Sequence, residues 1–516
     1  MSNFLYSNDE IRAIETAHAK KYPQDSLMLR AGAAVAALAV TLLKEKRGAN
    51  ILVLVGPGNN GGDARVAAAA LLKAGHRMTL LEPGQYKQTD SAAKNAFTAV
   101  RKAKGAVATK FPVAAKFDLI IDGLFGIGLK RAPTGVFADA IARANANADA
   151  HHTPILAIDV PSGLVADTGV ALGATIQADF TVTFLGAKPG LYTADGVDVA
   201  GEIHVDSLGT TTKSSNGELL NRANIAPLIP KRRNSSHKGS FGNVGIIGGA
   251  TGMIGAAVLA ARAALHMGPG KVFAGFNASD APGFDTINPE IMVRPADELV
   301  TDTSPITLTA LAIGMGLGVD KSARRLLKAA LARALPTLVD ADALTIIAAN
   351  PAIHAAHQVK MAENPHQCLS LIFTPHPGEA ARLLEVAVNE IQSDRVRAAK
   401  SIAVKFNAVT VLKGAGTVIA TPDGQYWINT TGNPGMASGG MGDALSGMIA
   451  SFLAQGMIAL DAAKLGVYLH GAAADECLAH GMAPHGLTAS EVIFEARTLL
   501  NAGLHAHDHD QPALQN

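Results

Sequence analysis

Short apolar runs recur along the chain at residues 51–55, 77–81, 118–121, 154–158 and 180–184, without strict apolar/polar alternation. Continuous runs of this length suit parallel strands covered on both faces. Ala-rich helical stretches separate several of them, so the pattern predicts βαβ units in a doubly wound sheet. The apolar run 31–43 is too short to span a bilayer, stops at Lys44 and reads as a buried helix. The pattern breaks at 209–217, where Gly, Thr, Lys, Ser and Asn give linker composition. A second series follows, with strands expected at 244–247, 271–276, 311–313, 337–339, 371–373 and 409–412. A hairpin-like pair, 417–420 and 425–428, flanks the turn residues Pro422-Asp423-Gly424. Helices are expected over 442–500. The polar tail from His505 reads as a frayed end rather than a metal site, despite His505, His507 and His509. Two α/β domains result, 1–218 and 219–510.

Composition changes this picture little but excludes several function classes. Apolar residues are 48% and aromatics only 4%, so the cores must be built from Ala, Val, Leu and Ile. A net charge of +1 argues against a nucleic-acid surface. The single basic cluster, Lys231-Arg232-Arg233, reads as a solvated loop. Two cysteines, Cys368 and Cys477, exclude a disulfide framework and a four-cysteine zinc site, and fit a reducing compartment. Residues 1–10 lack a signal-peptide core. A soluble, cytoplasmic protein with no membrane partner is the expectation.

Candidate chemistry gathers at strand ends, where open α/β sheets bind ligands. The first strand runs into Gly56-Pro57-Gly58-Asn59-Asn60-Gly61-Gly62-Asp63, which matches a dinucleotide fingerprint at Gly56, Gly58 and Gly61, and Glu82 stands where a ribose-binding carboxylate would. An NAD-binding domain is one reading. Asp63 argues for another, because a carboxylate near a helix start competes with phosphate for its N–H groups. The Asn and Asp oxygens suit a hard cation. A plain helix cap by Asp63 would also account for it. Two further strand ends carry Asp122-Gly123-Leu124-Phe125-Gly126-Ile127-Gly128 and Asp159-Val160-Pro161-Ser162-Gly163-Leu164. Asn60, Asp122, Asp159 and Ser162 thus converge on one rim. Asp159, set by the rigid Val160-Pro161 turn, can carry a proton; Lys188 is the next candidate.

These stretches, with Thr181-Val182-Thr183-Phe184-Leu185-Gly186-Ala187-Lys188-Pro189-Gly190-Leu191, resemble the NAD(P)H-hydrate epimerase family over the first ~210 residues. The resemblance implies a Rossmann-like domain with K⁺ held by Asn60, Asp122 and Ser162, and Asp159 as catalytic residue. It implies contacts to hydrated nucleotide from Asn59, Asn60, Gly61, Gly62, Asp63 and Asp159, and from Gly126, Ile127, Gly128, Leu129, Lys130, Arg131 and Ala132.

In the second series, small residues crowd a helix start at Asn433-Pro434-Gly435-Met436-Ala437-Ser438-Gly439-Gly440-Met441-Gly442-Asp443. Bare N–H groups there can cradle phosphate, and Asp443 beside them can act as a base. A Gly-rich turn capped by Asp443 is the bland alternative. The pattern resembles ribokinase-like phosphotransferases. Lys413-Gly414-Ala415-Gly416-Thr417 makes a small basic loop after a strand, and Thr374-Pro375-His376-Pro377-Gly378-Glu379 holds His376 between prolines. With Ser236-His237-Lys238-Gly239, the glycine loops at 248–257 and 314–318, Asp340-Ala341-Asp342-Ala343-Leu344 and Gly486-Leu487-Thr488-Ala489-Ser490, residues ~222 to ~500 resemble the ADP-dependent NAD(P)H-hydrate dehydratase family. The resemblance implies AMP contacts from Lys413, Gly414, Ala415, Gly416, Thr417 and Gly442, and substrate contacts from Ala256, Gly316, His376 and Asp443. Asp443 would be catalytic, with Mg²⁺ accompanying ADP. The two resemblances together imply an enzyme that epimerises R and S forms of hydrated NADH and NADPH and dehydrates the S form, giving AMP and phosphate; a homo-oligomer is expected. The rival readings are a small-molecule kinase fused to a Rossmann dehydrogenase, and a nucleotide-binding scaffold without turnover.

Overall fold

The computed structural model describes residues 3–44, 46–84, 90–102, 105–112, 115–210, 215–301, 305–333, 335–355 and 371–503. Cys368, residues 211–214 of the linker stretch and the three tail histidines lie outside the described residues. The chain divides into two compact units, Met1–Glu218 and Leu219–Asn516.

In the first unit a two-residue strand, β1 (Phe4–Leu5), pairs with the start of β9 (Gly217–Leu220), Phe4 opposite Glu218. The central strands are β2 (Asn50–Val55), β3 (Arg77–Leu81), β4 (Ala106–Ala108), β5 (Leu119–Gly123), β6 (Ile155–Ile158), β7 (Phe180–Phe184) and β8 (Glu202–Asp206). Their order is β4-β3-β2-β5-β6-β7-β8 and every pairing is parallel. The order reverses between β2 and β5, which opens a crevice at their carboxyl ends. β2 is buried from Ile51 to Val55 and β6 throughout, the two-sided burial its apolar run requires. One apolar cluster joins Val35 and Ala39 to Ile51, Val53 and Val55; another joins Leu52 and Leu54 to Ile120 and Ile141 on the other face. The apolar run 31–43 lies in the helix Leu27–Leu42, whose buried residues include Ala31, Val35 and Ala39.

The second unit carries β10 (Asn243–Gly248), β11 (Lys271–Phe276), β12 (Met292–Pro295), β13 (Ala310–Ile313), β14 (Thr337–Val339), β15 (Leu371–Phe373), β16 (Val409–Leu412), β17 (Val418–Ala420) and β18 (Tyr426–Asn429). Their order is β18-β17-β16-β15-β14-β13-β10-β11-β12. β17 runs antiparallel to both neighbours and the remaining pairings are parallel. The helices Ile254–His266 and Met441–Ala454 cross in the core: a Cβ on Gly447 would stand 2.0 Å from the Ala260 carbonyl oxygen. Small residues let the two backbones touch, which the scarcity of aromatics makes necessary. No described helix is long and apolar enough to cross a membrane.

Candidate active sites

In the first unit, the Asn59–Lys73 helix starts directly behind β2. Gly61 is required there, since a Cβ would lie 1.9 Å from the Gly56 carbonyl oxygen. The helix has Gly58 as its N-cap and no side-chain cap bond. Asp63 sits beyond the first turn, so the helix-cap explanation of this residue is wrong. Glu82 is paired with the buried Arg65 at 2.7 Å, which removes the ribose-binding role expected of it in an NAD domain.

The carboxyl ends of β2, β5 and β6 bring the expected residues together. Asp122 is fully buried; one oxygen accepts from Ser162 Oγ (2.7 Å) and Leu124 N (3.2 Å), the other from Ser162 N (2.8 Å). Burial outweighs these bonds and raises its pKa to about 6. Ser162 Oγ also accepts from Phe125 N at 2.8 Å. Asn60 is 7% exposed, and neither Oδ1 nor Nδ2 has a partner among the described residues. A buried amide without partners costs about 1–3 kcal/mol, so a ligand is called for. An orphaned Asn oxygen, a carboxylate and a hydroxyl form an all-oxygen set that fits a hard monovalent cation.

Asp159 follows β6 with φ of +65°, a left-handed conformation costing about 1 kcal/mol or more. In this conformation its side chain meets Lys188. Lys188 Nζ is buried and donates to Asp159 Oδ1 (2.6 Å), Thr183 Oγ1 (2.8 Å) and the Phe184 carbonyl (2.7 Å). All three ammonium protons are spent, and Thr183 Oγ1 adds a bond to the same Asp159 oxygen at 3.2 Å. Asp159 Oδ2 is left over. A Cβ on Gly126 would lie 3.4 Å from it and 3.3 Å from Asn60 Oδ1, so both atoms converge on that bare backbone. They face a cavity of about 960 Å³, lined also by Glu15, Asp63, Asp90 and the loop Gly126–Ala132.

In the second unit, Gly440 caps the Met441–Ala454 helix with φ of +90° and no side-chain bond. Ala444 N is the first to bond back, to the Gly440 carbonyl. The preceding N–H groups of the first turn have no intrahelical acceptor, as an anion site needs. Lys413 Nζ stands 3.3 Å from where a Gly442 Cβ would be, so the ammonium lies close against this bare backbone. That ammonium is held by Asp340 Oδ1 at 2.7 Å, while Asp340 Oδ2 accepts from Ser446 Oγ at 2.7 Å. Burial opposes the Lys413 charge, but Asp340 and Glu379 outweigh it and raise its pKa. Asp443, beside this pair, accepts no hydrogen bond from any described residue. Burial and then the Asp340 charge raise its pKa to about 6, against Lys413. The reading of Asp443 as a mere cap therefore fails.

The other expected residues fall around this centre. The loop 413–417 lies over buried Arg395, which donates to the Leu412 and Lys413 carbonyls. His376 caps the Pro377–Leu384 helix, its Nδ1 accepting from Gly378 N (2.9 Å) and Glu379 N (3.3 Å). Burial, Lys413 and Arg382 lower its pKa, so the ring is neutral at pH 7, and its side chain is 52% exposed. A Gly316 Cβ would approach Ala256 Cβ to 3.2 Å, so these two residues are adjacent. Gly318 N bonds Asp342 at 2.8 Å, tying that loop toward Asp443.

Residues 24–190 match the family model described as YjeF-related protein N-terminus, and residues 244–495 the one described as NAD(P)H-hydrate dehydratase. The bifunctional NAD(P)H-hydrate repair enzyme Nnr of Escherichia coli is 38% identical over 493 residues, covering 94% of this chain and 91% of its own. That of Coxiella burnetii is 37% identical over 510 residues, 96% of this chain and 99% of its own. The chain belongs to the bifunctional NAD(P)H-hydrate repair enzymes. An ADP/ATP-dependent NAD(P)H-hydrate dehydratase structure from Bacillus subtilis, co-crystallised with ATP/Mg²⁺, matches 55% of this chain and 98% of that one, at 31% identity and a TM-score of 0.48. As a repair enzyme the chain has an isomerase and a lyase activity.

Sequence reasoning left several neighbours of these sites without a role. Asp340 directly follows β14, so the strand-end rule that found Asp122 and Asp159 could have singled it out. Glu15 carries no such signal, since a glutamate on an N-terminal helix reads as a solvated face.

Proposed function

We propose that the first unit interconverts the R and S forms of hydrated NADH and NADPH, and that the second dehydrates the S form with ADP, giving AMP and phosphate. The observation that carries this reading is the pair of free carboxylate atoms. Asp159 Oδ2 faces a nucleotide-sized cavity, and Asp443 stands at a helix N-terminus beside Lys413 with no hydrogen bond from any described residue. The first can accept a proton as the hydroxylated carbon is inverted. The second can take the proton of that hydroxyl as its oxygen attacks the terminal phosphate of ADP.

On this reading the nucleotide phosphates meet the bare N–H groups at Gly442 and the loop Lys413, Gly414, Ala415, Gly416 and Thr417. Ala256, Gly316, His376 and Asp443 border the ring. Lys413 stays charged beside the phosphates, and Asp340 holds it in place. Mg²⁺ accompanying the nucleotide would neutralise phosphate charge. In the first unit Asn60, Asp122 and Ser162 would hold K⁺, which supplies a fixed positive charge next to the nucleotide. Asn59 to Asp63 and the loop Gly126–Ala132 line the cavity that receives it. The free thiol of buried Cys477 accords with a cytoplasmic setting, and a homo-oligomer is the assembly we expect.

The test is direct. Chemically hydrated NADH incubated with protein, ADP and Mg²⁺ should regain the absorbance of reduced nicotinamide, both epimers being consumed. A stable phosphorylated product without that absorbance would favour a plain kinase and overturn the reading.

A further inference from the structure

We propose that Asp63 is the proton donor of the epimerisation and works as a pair with Asp159; the proposal rests on the epimerase reading of the first unit. Asp63 projects from the Asn59–Lys73 helix and Asp159 from the end of β6, so two carboxyl groups on different elements line one cavity. They are unlike. Asp159 Oδ1 is bound by Lys188 and Thr183. Asp63 accepts no hydrogen bond from any described residue and caps nothing. The charges that act most strongly on it are carboxylates: Asp159, Glu15 from the Asn8–Lys21 helix, and Asp90 ahead of the Ser91–Lys102 helix. The cations of the site serve the other groups, since Lys188 and Arg12 offset charge on Glu15. His18, Asp25, Lys130 and Arg131 complete the charged lining of the cavity. Burial first, then these three carboxylates, push the Asp63 carboxyl well above the usual range. The buried Asn60 amide, without partners and aimed at the same space, marks the cavity as built for a ligand.

The chemistry needs such a pair. Hydrating the enamine of a dihydronicotinamide puts the hydroxyl on the carbon beside the ring nitrogen. Asp63 donates its proton to that hydroxyl. The C–O bond breaks, water leaves with the bonding pair, and the nitrogen lone pair forms a C=N bond, which makes the carbon planar. A second water adds from the other face. Its oxygen forms the new C–O bond, the C=N pair returns to nitrogen, and Asp159 Oδ2 takes the released proton. The two carboxyl groups have then exchanged states, ready for the opposite epimer. Paired groups with environments that differ in this way carry separate acid and base roles.

Two measurements on the full-length protein test this. Epimerisation of separated epimers, without ADP, should fall in kcat by ~10²–10⁴-fold in Asp63→Asn, with KM within a few-fold of wild type. The alkaline fall of the wild-type rate, where Asp63 loses its proton, should vanish from what remains, and Asp63→Glu should restore it. In H₂¹⁸O the wild type should place one ¹⁸O in the ring hydroxyl for each inversion. A raised KM with intact kcat would make Asp63 a binding residue and overturn the proposal. Inversion without ¹⁸O would overturn it too, because the ring would then open with its oxygen retained. Wild-type protein that interconverts nothing would instead sink the epimerase reading itself.

Discussion

The two units place a carboxyl group at the centre of each site and surround it differently. Around Asp159 the partners are side chains: Lys188 uses all three protons on Asp159, Thr183 and the Phe184 carbonyl. Asp443 accepts no hydrogen bond from any described residue and sits in a bare helix start capped by Gly440, with Lys413 held one step away by Asp340. The first arrangement fixes a carboxylate against a cavity of about 960 Å³. The second leaves donors free to meet phosphate oxygens. The two units thus support two chemistries, because strand ends present carboxylates in one and a glycine-flanked helix start presents N–H groups in the other.

That contrast is broken most severely at Asp159. Asp159→Ala should bring interconversion of the epimers down to the spontaneous rate, while dehydration of the reactive epimer in the other unit stays at wild-type level. The variant also strips a buried ammonium of its counter-charge, a loss of about 3–5 kcal/mol where such a pair is broken. Asp159→Asn, which keeps an acceptor for Lys188, separates chemistry from folding and should be equally inactive. Chromatography of the epimers reads both. Full activity in Asp159→Asn would make the carboxylate structural and move the search to Lys188.

Asp443→Asn should come next, lowering dehydration by ~10²–10⁴-fold with epimerisation untouched. The wild-type rate carries a signature of the same group. A base must be ionised, and this one titrates at about 6, so dehydration should fall as pH drops through that value. A flat profile between pH 5 and 7 at saturating nucleotide would remove Asp443 from the proton transfer.

Asp340→Asn sharpens the comparison, because it acts on Asp443 through space. Removing the Asp340 charge should move the acid limb of dehydration to lower pH, since that charge is the second cause of the raised Asp443 pKa. It should also cost about 3 kcal/mol of stability, because Lys413 is left largely buried without its partner. Urea unfolding and a pH profile measure the two effects. An unmoved limb would mean that the Asp340 charge does not reach Asp443.

Which of these residues could be read from the sequence follows from where each sits. The strands 77–81, 180–184, 271–276, 337–339, 371–373 and 409–412 coincide with β3, β7, β11, β14, β15 and β16. These runs are apolar enough to stand out. Ala106–Ala108, Glu202–Asp206 and Met292–Pro295 escaped notice because they are edge strands with no fully buried residue, whose composition lacks the two-sided apolar signal. Asn60, Asp122, Asp159 and Ser162 were legible because the strand-end rule needs only topology. The pairing of Lys413 with Asp340 was not: these residues are 73 apart in the chain, and a Lys beside glycines reads as a free phosphate ligand. Glu15 was hidden for the same reason, since its burial comes from tertiary packing and not from its own helix.

The smallest effect concerns K⁺ and needs no catalysis to be seen. Asp122 is buried with its pKa raised from 3.8 to about 6. A raised folded-state pKa favours folding below the unfolded value, and that advantage is lost as pH rises from about 4 through 6. Above pH 6 the buried charge works against the fold by about 3 kcal/mol, at 1.36 kcal/mol per unit. A cation beside Asn60, Asp122 and Ser162 would offset this penalty. K⁺ should therefore raise the melting temperature of the first unit in the full-length protein, and do so more at pH 7.5, where Asp122 is ionised, than at pH 5. At tenfold its Kd, the ion contributes about 1.4 kcal/mol, a shift of a few degrees. Calorimetry in potassium against tetramethylammonium at equal ionic strength reads it, with Asp122→Ala as the variant that should lose the response. Equal shifts in both salts, or a response that survives in Asp122→Ala, would show that Asn60 awaits a different partner.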